Sequence, residues 1–210
     1  MNPVLSLLET RVLGVLVEKQ HTVPDSYPLT LNSLVSGSNQ KNSRDPVMEA
    51  AETEVQATLD GLKRRNLVIE SSGSRVARYA HNVDSVLKIP SQSVAILTAL
   101  MLRGPQTPGE LRINCERLHR FADLSAVEAF LQELAARPAG ALVVQLARLP
   151  GARENRWAHL LSGAPAANAM PREKENGEQL GDKKTLEARV AQLESDVAEL
   201  RAELDKLRLQ

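Results

Sequence analysis

Apolar side chains recur at helical spacing along most of this chain, and the helical pattern gives way twice to short strand-like runs. The clearest regularity is a helix that occurs twice. Residues 53–65 (TEVQATLDGLKRR) place Val55, Leu59 and Leu62 on one face, and residues 125–137 (SAVEAFLQELAAR) place Val127, Leu131 and Leu134 on the matching face. Thr53 with Gln56, and Ser125 with Glu128, have the spacing of a capping box. Each segment ends on a cation, Arg65 or Arg137, where the helix dipole favours one.

The elements around the two copies follow one order. A helix over residues 5–20 is predicted with Ser6 and Glu9 as its capping box and Leu5, Leu8, Val12, Val15 and Leu16 on its buried face. A short helix over residues 30–38 follows, then the polar loop SGSNQKNSRDPVM, the repeated helix, and a hairpin of LVIE and RVARYA turning at Gly73. In the second unit a helix over residues 92–103 is apolar nearly all round and stops at Gly104-Pro105. Thr107, Pro108 and Glu110 then start a helix expected to continue through Leu118. The repeated helix comes next, and ALVVQLARL with RWAHLL forms a second hairpin. Three helices and a two-stranded wing, built twice, predict a mostly α protein of two tandem winged-helix domains, residues 1–82 and 83–163. The competing expectation is one α+β domain whose two units share a core.

Beyond the second hairpin, residues 164–183 are rich in Ala, Pro, Gly, Asn and charge and read as a flexible linker. Over residues 184–210, Leu186, Val190, Leu193, Val197, Leu200, Leu204 and Leu207 alternate spacings of four and three. That pattern predicts a coiled-coil helix. Valines at two of the three a positions with leucine at every d favour a parallel homodimer. A single amphipathic helix folding back on its own chain is the alternative.

Composition narrows the function. Lys+Arg and Asp+Glu both total 26, so no global positive field draws the chain to nucleic acid. Aromatic residues make up 2% of the chain, too few for base-stacking platforms. The single cysteine, Cys115, suits a reducing cytoplasm. The N-terminus lacks the basic start and apolar core of a signal peptide, and the longest apolar run, residues 94–102, is too short to span a membrane. A cytoplasmic protein is expected.

Three stretches, NQKNSRDPVM at residues 39–48, MLRGPQTPGELR at 101–112 and LARLPGARENRWAHL at 146–160, resemble the YceH family of bacterial proteins. The similarity runs in register over residues 5–163, and the heptad tail resembles those of many members. It implies two winged-helix domains in a bacterial cytoplasm. It carries over no catalytic residues.

No pattern here predicts an enzyme or a bound cofactor. Cys115 and His119 stand four apart on a predicted helix, as two metal ligands would, but no second cysteine or histidine pair completes a structural zinc set. No phosphate-binding loop or dinucleotide glycine pattern occurs. For double-stranded DNA, a winged helix offers its third helix to the major groove and its wing to the backbone. The first unit then supplies Lys63, Arg64 and Arg65 on the helix, Arg75 and Arg78 on the hairpin, and Lys41 and Arg44 on the loop. Asn39, Gln40 and Asn42 have the donors and acceptors to read base edges. In the second unit only Arg148, Arg153 and Arg156 cluster. A DNA-binding, regulator-like dimer is the first expectation, and a protein–protein adaptor is the alternative. The NQKNSRDP loop suits either a self-bonded turn or a recognition surface.

Overall fold

Helix α1 (Leu7–Thr22) begins where Ser6 and Glu9 close the expected capping box, the Ser6 hydroxyl accepting from the Glu9 amide and the Glu9 carboxylate from the Ser6 amide. In this computed structural model of the chain, residues 4–71, 76–148 and 150–164 are described. The Gly73 turn, Arg75, the linker from residue 165 and the heptad positions lie outside them, as do the dimer contacts expected of those positions.

After α1 a 3-10 turn (Pro24–Ser26) leads into β1 (Leu29–Thr30), a strand too short for periodicity to reveal. Thr30 caps α2 (Leu31–Ser38) by accepting from the Ser33 amide. The repeated helix α3 (Glu52–Arg64) precedes β2 (Val68–Ser71) and β3 (Arg78–His81). These pair antiparallel, with Val68 opposite His81, and β1 joins the other edge of β3, with Leu29 opposite Tyr79.

A short α4 (Val83–Leu87), unforeseen in the sequence, connects to α5 (Ser91–Arg103). Gly104 ends α5 at φ 73°, a left-handed conformation that glycine adopts at no steric cost. Thr107, Pro108 and Glu110 start α6 (Pro108–Asn114) as expected, but the helix stops at Cys115 and residues 115–118 are turns. The repeated helix α7 (Leu124–Ala135) then leads to the antiparallel pair β4 (Val143–Gln145) and β5 (Trp157–His159). The protein is thus mostly α-helical with small antiparallel sheets.

The strand pairings of the two copies correspond. Val143 lies opposite His159 as Val68 lies opposite His81. Gln106 bridges to Trp157 where Leu29 pairs with Tyr79. The two capping boxes expected inside the repeated helices do not form. Both helices start earlier, because Glu54 reaches back to the Ala51 amide and Asp123 accepts from the Ala126 amide. Thr53 and Ser125 therefore sit within the first turn.

The aliphatic faces are buried as the periodicity requires, with Val55, Leu59, Leu62, Val127 and Leu131 all fully inaccessible. The apolar sets of the two copies run together into one connected core along the contact of α1 with α5. Gly14 permits that approach, since a Cβ there would stand 2.8 Å from Leu102 Cδ2. All described residues belong to one compact unit, Met1–Ala169.

The NQKNSRDP loop sits at this seam. Asn39 exchanges two hydrogen bonds with the Ala50 backbone, the Asp45 amide donates to the Leu102 carbonyl at 2.8 Å, and Arg103 donates to Ser43 Oγ at 2.8 Å. The loop thereby fastens the first copy to the end of α5.

Candidate nucleic-acid interface

Helix α3 packs on α1, α2 and β2 and leaves Glu52, Thr53, Glu54 and Ala57 exposed. This is the face that would meet a groove, and its charge is negative at the N-terminal end. The cations proposed around it go to different places.

Arg44 is inside the protein, its side chain 0% exposed. Its guanidinium donates to Glu18 Oε2 at 2.6 Å and Oε1 at 3.1 Å, to the Gly37 carbonyl at 3.2 Å and to Gln40 at 3.3 Å. Burial works to raise the Glu18 carboxyl, but the hydrogen bonds and charge of Arg44, with Lys19, hold it below its ordinary value. A second guanidinium, Arg11, is buried beside this pair and donates to the carbonyls of Ser38 and Pro46. Desolvation, then the charge of Arg44, push Arg11 down to about 10.

Lys63 lies 2.5 Å from Glu70 and 3.0 Å from Asp60. Those hydrogen bonds, the one to Glu70 first, raise its pKa. Arg65 donates to the Val4 carbonyl at 2.7 Å and lies 4.0 Å from Glu9. Arg78 donates to the Pro28 carbonyl at 2.8 Å and to that of Ser26 at 3.3 Å. Among the described residues of the proposed set, Lys41 and Arg64 are exposed and make no hydrogen bond or ion pair within the fold. Of the polar readers, Asn39 and Gln40 are held by the loop and Asn42 is exposed.

The second copy explains the wing arginines. Arg156 donates to the Pro105 carbonyl at 2.9 Å, as Arg78 does to Pro28, and pairs with Glu110 at 3.1 Å. Each arginine ties a wing strand to the residue just before the short edge strand or bridge. The signal was in the sequence: RYAH at residues 78–81 and RWAH at 156–159. Arg65 and Arg137 form another matched pair, donating to the Val4 and Leu87 carbonyls ahead of α1 and α5.

Comparison with known proteins places the chain in a family. Residues 5–152 match the family described as a protein of unknown function, DUF480. The chain belongs to the DUF480 family. It is 61% identical over 200 residues to a UPF0502 protein of Dechloromonas aromatica (strain RCB), covering 95% of this chain and 94% of that one. A UPF0502 protein of Paraburkholderia xenovorans (strain LB400) is 56% identical over 209 residues, covering 95% and 88%. One of Methylibium petroleiphilum is 67% identical over 162 residues, covering 77% and 69%. The DUF480 match includes the seam loop and both repeated helices.

The remaining chemistry-bearing residues are held by the fold. The Cys115 thiol is buried, donates to the Ala95 carbonyl at 3.5 Å and is pushed up to about 12 by desolvation. The His119 ring stands edge-on to Phe121 at 4.8 Å. His81 contacts Gln20 at 2.6 Å, whereas its counterpart His159 has a buried Nδ1 with no hydrogen-bond partner among the described residues. Desolvation pushes His159 down to about 4. No described helix is long and apolar enough to cross a membrane.

Proposed function

We propose that this DUF480 protein is a non-enzymatic adaptor whose main partner is another protein. In this reading two tandem winged-helix domains, residues 1–82 and 83–163, share the α1–α5 seam. A linker over residues 164–183 and a coiled-coil helix over 184–210 pair two copies in the cytoplasm. One observation carries the choice: Arg44, Lys63, Arg65 and Arg78 are engaged within the fold, while α3 exposes Glu52 and Glu54. A groove-reading helix needs cations turned outward. Fold alone assigns no partner, so the reading rests on the charge arrangement. Affinity capture from nuclease-treated extract tests it, with a stoichiometric protein partner as the expected result. Recovery only in the presence of nucleic acid would overturn it.

Duplex DNA is the second reading, favoured by Lys41 and Arg64, both exposed and outside the internal network. Two phosphate contacts per chain, both in the first domain, give a log–log salt slope of about −1.8 for each chain bound. Binding measured at two salt concentrations, with and without Lys41→Ala and Arg64→Ala, separates the readings. Light scattering of chains with and without the residues after Lys183 tests the dimer, which is expected to fall to a monomer on truncation.

A further inference from the structure

Each sheet ends on a strand with one side unpaired. The order is β1-β3-β2 in the first repeat and β4-β5 in the second, which leaves β2 and β4 at an edge. In an antiparallel ladder every second residue turns its N–H and C=O away from the neighbouring strand. Two bonds just beyond the β2–β3 ladder fix which residues those are. The Asn82 amide donates to the Leu67 carbonyl, towards β2, and the preceding amide, His81, donates the other way, to Tyr27 Oη at 2.8 Å. Ile69 and Ser71 are therefore bonded to β3, while Val68 and Glu70 present both backbone groups to the outside. No described residue bonds to those groups.

Ile69 lies between them with its side chain on the opposite face, 53% exposed. Val68 is buried, and Glu70 is neutralised by Lys63 at 2.5 Å. Edges that resist pairing carry lysine, proline or a bulge. Residues Val68–Ser71 have none of these, and their register with β3 is unbroken. The second repeat offers less. Its Leu160 amide donates to Leu142 and its Leu146 amide to Arg156, so Val143 and Gln145 face outward, but Val144 between them is half-buried.

We propose that β2 pairs with β2 of a second copy of this chain, antiparallel and centred on Ile69. In that register Val68 and Glu70 of one copy meet Glu70 and Val68 of the other, and every outward N–H and carbonyl of both edges is used. The two isoleucines face each other in a non-hydrogen-bonded pair, where Cα atoms approach to about 4.5 Å. A register centred on Glu70 stacks carboxylate on carboxylate, and one centred on Val68 sets Glu70 opposite Asn66, outside the strand. An edge this short holds weakly alone, so the pairing rests on the proposed tail dimer for proximity, while its register stands on the edge itself.

The test is disulfide capture in the full chain with oxidised glutathione. Ile69→Cys sets two thiols across the two-fold axis, within the Cα separation that a disulfide needs. Ser71→Cys is also exposed and on the same face, but two residues from the axis, so its Cα atoms stand about 14 Å apart and cannot be bridged. The native Cys115 is buried and does not compete. Linked dimers of Ile69→Cys are expected to form about tenfold faster than those of Ser71→Cys. In the native chain the Val68 and Glu70 amides should exchange with solvent about tenfold more slowly than in Ile69→Lys, which opposes two like charges at an exposed position. Equal capture at the two positions, or the same exchange in the native and Ile69→Lys chains, overturns the proposal. A dimer by light scattering without Ile69→Cys capture sinks the edge and leaves the tail pairing standing. Fast, position-specific capture in a chain that scatters as a monomer does the reverse.

Discussion

In the first repeat α1 carries Arg11 as its fifth residue and Glu18 as its twelfth, both turned into the seam, whereas α5 carries Ala95 and Leu102 at the same places. The first repeat also has the longer loop between its second and third helices, and that loop brings Arg44 inward to Glu18. At those two positions the second repeat carries aliphatic side chains instead. The buried charges therefore accompany the loop. Removing water from an ion pair costs several kcal/mol per ion, so burial of this kind adds little stability beyond an apolar equivalent. It does fix one loop conformation, because two guanidinium groups must find the carbonyls of Gly37, Ser38 and Pro46 together. Even so, Arg11 Nε and Ser38 Oγ are buried without a hydrogen-bond partner among the described residues.

The comparison breaks most sharply at Arg44. Arg44→Ala strands the Glu18 carboxylate and is expected to cost about 3–5 kcal/mol in urea unfolding. Glu18→Leu combined with Arg44→Met, which gives the first repeat the second's chemistry, should recover most of that loss. If the double variant is no more stable than Arg44→Ala, the ion pair is not what distinguishes the repeats. Acid acts in the same direction. A carboxyl held below its ordinary value of 4.5 contributes stability above that pH and loses it as pH falls through the folded value.

Smaller effects sharpen the contrast. Gly37→Ala would bring a Cβ to 2.6 Å from Val15 Cγ1, against a β-branched side chain with little rotamer freedom. A loss of about 1–3 kcal/mol is expected, partly restored by Val15→Ala. The twin histidines differ in a testable way. Desolvation lowers both, and only His159 has a buried nitrogen without a partner. A histidine kept neutral in the fold contributes stability above about 6.5 that drains away as pH falls toward about 4. His159→Phe should flatten the melting temperature between those values more than His81→Phe does. The smallest effect is expected at the surface, where Lys41→Ala and Arg64→Ala should change stability by less than about 0.5 kcal/mol.

The order of helices, the capping at Ser6 and Thr107, the helix stop at Gly104 and both strand pairs were legible because each rests on neighbours a few residues apart. The aliphatic faces of α3 and α7 were legible for the same reason, through their period. Other elements were not. β1 is two residues long and exists because β3 offers it an edge. The start of α7 moved to Asp123 because a carboxylate there competes with Ser125 for the free amides.

The amino-acid sequence by itself determined that a helical module with a trailing strand pair occurs twice, since periodicity, caps and turns are local and were repeated with it. Only the tertiary structure decided which cations face outward. A charged residue's sequence neighbours say little about a carboxylate or carbonyl brought beside it from far along the chain, as Glu18 is to Arg44, Pro28 to Arg78 and Val4 to Arg65.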